Sequence, residues 1–230
     1  AKIISVDLVT TLSLTGRLYF FFFFLLNQLT NYARPMLGQL FGNGKIEQAF
    51  RRYRQIFIVS TGITIIVAAS IFSINESFIG VWVGKANYGG FWLDAALALN
   101  MVTNAWVLPN RAILSSNMIV RPQTLSRLVE GALNITLSIV FARWMGVIGV
   151  IFSTAVAGIL TSNWYLPFLT AKMFNRSYKD FLLGDGLRLV VFALFLFSLV
   201  IGVRTWLDGN INFIVNIFVS ITIGFVGILY

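Results

Sequence analysis

The residues of this chain that can do chemistry are few, and they sit where lipid is expected. Arg17, Arg111 and Arg127, the carboxylate of Glu130, and the carboxamides of Asn104 and Asn134 all lie in or beside long apolar runs. A guanidinium stays charged and presents a planar fork of donors that matches phosphate bidentately, so arginines at membrane depth point to anion recognition. A carboxylate in the same setting can exchange a proton or Na⁺ and couple movement to an ion gradient. Asparagine can bind a polar ligand or hold helices together through hydrogen bonds worth about 0.6–2 kcal/mol, and both readings stay open for Asn104 and Asn134.

Other chemistries are closed. His and Cys are both 0, which removes disulfides, thiolate nucleophiles, imidazole acid–base work and thiolate or imidazole metal sites. The last apolar run has no lysine for a retinal Schiff base. No loop pairs Asp or Glu to hold Mg²⁺, and no Gly-rich phosphate loop occurs. No catalytic residue, metal or cofactor is expected, and the chain does not read as an enzyme.

The elements that must position these residues are membrane helices. With 58% apolar and 11% charged residues and a mean hydropathy of +0.85, the chain is far from a soluble domain, which carries about a quarter charged residues. The expected fold class is an all-α polytopic membrane protein with about seven transmembrane helices. A span needs about 20 apolar residues, and seven stretches qualify: Ile4 to Thr30, Gln55 to Ile74, Phe91 to Asn110, Gln123 to Phe141, Met145 to Thr170, Gly186 to Gly202 and Ile211 to Tyr230. The loops alternate in charge. Arg34, Lys45, Arg51, Arg52 and Arg54 precede a loop with only Lys85; Arg111, Arg121 and Arg127 precede one with Arg143; Lys172, Arg176, Lys179 and Arg188 precede one with Arg204. Basic loops face the cytoplasm, which places the N-terminus of this segment outside and the C-terminus on the cytoplasmic side of the membrane. The net charge of +9 is explained by that orientation and needs no nucleic acid. An outside start without a signal peptide calls for at least one upstream membrane helix, so the chain reads as the C-terminal part of a larger protein.

Residues 44–55 set Ile46, Ala49, Phe50 and Tyr53 against Lys45, Arg51, Arg52 and Arg54, the pattern of an interfacial helix under the inner leaflet. Phe78, Trp82, Tyr88, Phe91 and Trp92 form an aromatic belt outside. Counted from Ile4, Arg17 falls near mid-bilayer, where a cation costs about 2.5 kcal/mol or more and needs a wet cavity or a partner. Thr10, Ser13, Arg17, Phe24, Asn27 and Asn31 share its helix face. Asn100, Thr103, Asn104 and Arg111 make a similar stripe, with Pro109 expected to loosen the end of that helix. Arg127, Glu130, Gly131, Asn134 and Ser138 make a third. Gly146, Gly149, Ser153 and Gly158 are read as close-packing positions. The last two spans look featureless and are expected to face lipid.

The stretches "TGRLYFFFFFLLNQLTNYARPMLGQLFGNGKIEQAFRRYRQ", "INESFIGVWVGKANYGG" and "EGALNITLSIVFARWMGVIGVIFSTAVAG" together resemble the C-terminal half of bacterial polysaccharide flippases of the oligosaccharidyl-lipid/polysaccharide exporter superfamily, over most of residues 5–170. The resemblance implies two six-helix lobes around a central cavity. Residues 1–170 would supply five helices of the second lobe, and residues 171–230 a cytoplasmic loop and two peripheral helices. It also implies translocation of isoprenoid diphosphate-linked oligosaccharide from inner to outer leaflet by alternating access, with membrane lipids and the missing N-terminal lobe as partners. In that setting Arg17 would receive the diphosphate or an acidic sugar, with Arg111 and Arg127 near the inner mouth and Glu130 as ion-coupling candidate. The alternatives are a drug/cation antiporter or peptidoglycan-precursor flippase of the same superfamily, a membrane-embedded glycan polymerase or ligase, and a non-catalytic scaffold.

Overall fold

The computed structural model describes residues 6–206, and these are all-α. The chain runs α1 (Val6–Thr15), α2 (Arg17–Tyr32), α3 (Arg34–Gly42), α4 (Ile46–Trp82), a 3₁₀ turn (Lys85–Asn87), α5 (Phe91–Ser116), α6 (Arg121–Met145), α7 (Val147–Leu160), α8 (Ser162–Met173), a short α9 (Tyr178–Phe181), a π turn (Leu182–Gly186) and α10 (Leu187–Trp206). Five helical stretches among the described residues are long and apolar enough to cross a bilayer: α4, α5, α6, α7 with α8, and Tyr178–Arg204. The bent run from α1 through α3 makes a sixth if counted as one span. This is the architecture of a multi-pass membrane protein. The seventh expected span, Ile211 to Tyr230, lies outside the described residues.

The helices share two distinct ends. At the basic end the α3–α4 turn meets residues 174–188, where Phe174 packs on Phe41 and Phe50 and Arg176 pairs with Glu47. At the aromatic end lie Trp82, Tyr88, Phe91 and Trp92. Tyr53 and Phe57 of α4, both fully buried, stack with Phe174 and Phe181 at ring separations of 5.0–6.2 Å and anchor the core at the basic end. Tyr53 donates its hydroxyl proton to Asn110 Oδ1 at 2.7 Å, tying α4 to α5.

All four prolines are placed by the N–H that each lacks. Pro35 and Pro122 stand in the first turns of α3 and α6, where no intrahelical donor is needed. Pro109 and Pro167 lie inside α5 and α8, and each leaves the carbonyl four residues earlier without its helical donor. A neighbouring helix supplies a replacement each time. Thr61 Oγ1 of α4 points at the Ala105 carbonyl at 3.5 Å, and Trp106 Nε1 of α5 donates to the Asn163 carbonyl at 3.0 Å. With both carbonyls engaged, α5 continues past Pro109 to Ser116 instead of loosening there, since an unpaired group in a dry interior is costly.

Two ion pairs fasten α10 and the turn before it along α4. Arg54 makes a bidentate pair with Asp185, its Nη2 lying 2.7 Å from Oδ1, and Arg204 Nη2 lies 2.7 Å from Glu76 Oε2. Arg204 also lies over the rings of Phe72 and Phe91. From position 54 to 76 a helix rises about 33 Å, close to the roughly 30 Å hydrocarbon thickness of a bilayer. The two pairs are therefore spaced as two headgroup planes are. Helix α10 docks through one face, where Leu189, Leu196 and Val200 are buried, while Val191, Leu194 and Phe195 on the rest of it stay exposed, as its apolar composition suggests.

Two further expectations change. Residues 46–54 are no separate interfacial helix but the first turns of the 37-residue α4, because Ala49 and Tyr53 are buried on the same face that continues through Phe57. The first apolar run is not straight either: it bends by 51° at Gly16, and its two arms, Val9–Thr15 and Arg17–Gly42, qualify as a span only together.

Candidate functional site

Arg111, Glu130 and Ser162 meet where α5, α6 and α8 converge, about one and a half turns from the end of α5 and two and a half from the start of α6. Arg111 Nη2 lies 3.5 Å from Glu130 Oε2, the two side chains being 14% and 22% exposed. Ser162 donates its hydroxyl proton to the same carboxylate oxygen, and the hydroxyls of Ser126 and Ser162 lie 3.1 Å apart. Ser162 can reach Glu130 because it opens α8 directly after a break at Thr161, whose φ of −125° and ψ of −88° are not helical. Gly158 of α7 faces the same junction: a β-carbon there would meet Asn163 Oδ1 tightly at 3.3 Å and Glu130 Oε1 at an ordinary 3.9 Å. Arg111 Nε is buried and has no partner among the described residues. Arg127, one turn before Glu130 on α6, is exposed and unpaired among the described residues.

This arrangement gathers two guanidinium groups and one carboxylate at a partly buried helix junction, with a net positive charge and an unused donor on Arg111. Such a group can hold an anion, which would have to compete with Glu130 for Arg111. Protonation of Glu130, or a cation taken up by it, would release Arg111. Sequence reasoning singled out these three charged groups but not Ser162, which a helix break inside an apolar run hides.

The other expected residues do not join this cluster. Asn134 Oδ1 accepts from Ser153 at 2.9 Å, Ser138 at 3.2 Å and Thr154 at 3.4 Å, so its oxygen is engaged in pairing α6 with α7. The Asn104 amide donates to the Asn100 carbonyl at 2.9 Å, and Asn100 in turn donates to the Ile151 carbonyl at 2.7 Å. Asn104 lines a mostly apolar cavity of about 340 Å³ between α2, α5 and α7, with Tyr19, Phe20 and Thr154.

Arg17 requires a correction. It is the first residue of α2, and the adjoining Thr15 binds the loop at the aromatic end, accepting from the Gly89 N–H at 2.9 Å through Oγ1 and from Asn75 Nδ2 at 3.0 Å through its carbonyl. Asn75 neighbours Glu76, so Arg17 stands near a headgroup plane and not at mid-bilayer. It is exposed, beside Ser13, Phe20 and Phe21. From there the side chain reaches the headgroups by extending, and the large cost of a central cation does not arise.

The most completely connected polar site was not anticipated. Asp94, fully buried near the start of α5, accepts at Oδ1 from Tyr19 at 2.9 Å and from Asn75 at 2.6 Å, and at Oδ2 from Tyr88 at 3.0 Å. Burial, followed by the adjacent Asp94 charge, pushes the Tyr88 phenol above its ordinary range, so it remains a donor. Four elements, α2, α4, the turn before α5, and α5, are joined here.

No family model, curated protein or solved structure matches this chain. The site therefore stands on its geometry. Two polar centres result. One is structural, at Asp94, both of whose carboxylate oxygens are engaged although Asn75 Oδ1 beside it has no partner among the described residues. The other is a charged one at Arg111–Glu130, with a donor left over on Arg111 and an exposed second guanidinium on Arg127. The second is the candidate functional site.

Proposed function

We propose that this chain is one lobe of a membrane flippase that carries an isoprenoid diphosphate-linked oligosaccharide across the bilayer by alternating access, with two further helices at its C-terminal end. The observation that carries the reading is Arg111: a mostly buried guanidinium held by one carboxylate at 3.5 Å, with an unpartnered Nε. In the proposed orientation the basic end is cytoplasmic, so Arg111 and the exposed Arg127 meet the diphosphate as cargo enters. The phosphates displace Glu130 from Arg111, and Glu130 becomes free to take up a proton or Na⁺. The Thr161 break, to which Glu130 is tied through Ser162, is where that exchange is transmitted to α7 and α8. Supporting the reading besides are the resemblance of residues 5–170 to polysaccharide flippases and the apolar outer face of α6, where Leu128, Ile135 and Ile139 are exposed and available to lipid or to a second lobe.

The test is Arg111→Gln in the full-length protein, with surface polysaccharide export measured at matched protein level. Export is expected to fall at least tenfold, which corresponds to about 1.4 kcal/mol or more. Export at the parental rate sinks the proposal. Glu130→Gln should leave residual export that no longer responds to pH or to the Na⁺ gradient; an unchanged response removes Glu130 from coupling.

A further inference from the structure

Between the two ion pairs that fasten α10 lies a groove of about 570 Å³, walled by Ile58, Gly62 and Ile66 of α4 and by Phe192 of α10. Its mouth is polar and carries Arg54, Asp185 and Arg188. Two guanidinium groups and one carboxylate leave that rim a single positive charge. Arg188 is exposed and has no carboxylate partner among the described residues, and Arg54 is half exposed beyond its bond to Asp185.

The groove is also in register with a bilayer. Arg54 marks one headgroup plane, and from there to Ile66 the helix descends about 18 Å, close to the roughly 15 Å depth of one leaflet's hydrocarbon. Charge lies where a phosphate lies, and apolar wall lies where an acyl chain lies. More basic residues crowd the same end, among them Arg51, Arg52, Arg176 and Lys179, which raises the local concentration of anionic lipid.

We propose that this groove is a specific site for one anionic glycerophospholipid: the phosphodiester sits on Arg188 and the free edge of Arg54, and one acyl chain lies along Ile58, Gly62 and Ile66. Its single negative charge balances the rim. The lipid fills the space between α4 and α10 that protein leaves open, and so completes the docking of α10. The site is independent of the flippase reading, since it lies away from the Arg111–Glu130 cluster and uses none of its residues.

The experiment uses the protein purified in detergent with phosphatidylglycerol or phosphatidylcholine added, bound lipid being counted by native mass spectrometry. The parent should hold one phosphatidylglycerol at least tenfold more tightly than phosphatidylcholine. Arg188→Gln should abolish that preference, whereas Lys179→Gln, which removes an equal charge outside the groove, should keep it. Gly62→Leu tests the chain: a β-carbon at Gly62 meets only Leu189 Cδ2, at 4.0 Å, so the larger side chain projects into the groove without disturbing the helices and should lower retention of the lipid at least tenfold. Equal binding of the two lipids, or undiminished binding by Gly62→Leu, overturns the proposal. So does displacement of phosphatidylglycerol by an equimolar polyprenyl diphosphate, which would give the groove to that class instead.

Discussion

Removing the Asp94 carboxylate should be among the most damaging single changes in this protein. Asp94→Ala leaves the hydroxyls of Tyr19 and Tyr88 and the Asn75 amide without the acceptor they share at 2.6–3.0 Å. Hydrogen bonds to a charged group are each worth about 1.5–3 kcal/mol, but three on one group are not additive, so a total loss of about 3–5 kcal/mol is expected. Asp94→Asn keeps an oxygen for Tyr19 and Asn75 and loses only the charge and the acceptor at Oδ2, which Tyr88 can meet by turning its hydroxyl to accept. Its loss should be about 2–3 kcal/mol, and that of Tyr19→Phe, which removes one donor and leaves the other two, about 1.5 kcal/mol. Equilibrium unfolding of the purified protein in mixed micelles, followed by tryptophan fluorescence, gives all three values. The reasoning requires the order Ala, Asn, Phe from worst to mildest. If Asp94→Ala unfolds within about 1 kcal/mol of the parent, the network does not contribute what its geometry implies, and the assignment of Asp94 as a structural centre is refuted.

Other substitutions probe separate features. Trp106→Phe leaves the Asn163 carbonyl, already freed by Pro167, without its donor and also trims the ring that packs on Phe57, and should cost about 2–4 kcal/mol in the same unfolding assay. Combining it with Pro167→Ala should recover the hydrogen-bond part of that loss, because the helix then supplies the missing N–H, and leave the packing part. Gly149→Ala would place a β-carbon 2.3 Å from the Phe141 carbonyl oxygen, so the α6–α7 hairpin must open, and protease sensitivity near residues 143–149 should rise. Arg54→Gln leaves Asp185, only 5% exposed, with a poorer partner, whereas Arg204→Gln leaves Glu76 half in solvent. The first should destabilise more than the second, by about 1–2 kcal/mol after allowing for the exposure of Arg54 itself.

How far the sequence could be read follows from what each feature depends on. Long apolar helices depend on composition over twenty residues, and so α4, α5 and α6 were legible as spans. The start of α5 and both ends of α6 fell within about four positions, whereas α5 runs six residues farther and α4 starts nine residues earlier and ends eight later than its apolar stretch. Arg111 and Glu130 were each legible as a charge in an apolar stripe, but their pairing was not, since the two stripes lie on different helices. Asp94 was not legible: its partners lie 75, 19 and 6 positions away, and a single carboxylate near a helix start looks like an ordinary first-turn residue. Arg17 was misplaced because depth was counted along an assumed straight helix, while glycine in an apolar run is tolerated in membrane helices and does not announce the bend at Gly16. The docking of α10 was hidden for a similar reason, since Asp185 and Arg204 stand at the edges of an apolar stretch and their partners on α4 can be identified only after the helices are laid side by side.

The paired fastenings at Arg54–Asp185 and Glu76–Arg204 make α4 and α10 a ruler. Both members are held at fixed heights, so neither helix can tilt independently to suit its surroundings, and a bilayer much thinner or thicker than the distance between the pairs must either deform at the protein's edge or drag one charge pair into hydrocarbon. Each ångström of mismatch carries a cost of a fraction of a kcal/mol. Two helices tied at both ends in this way have a preferred hydrocarbon thickness, set by the spacing of the pairs.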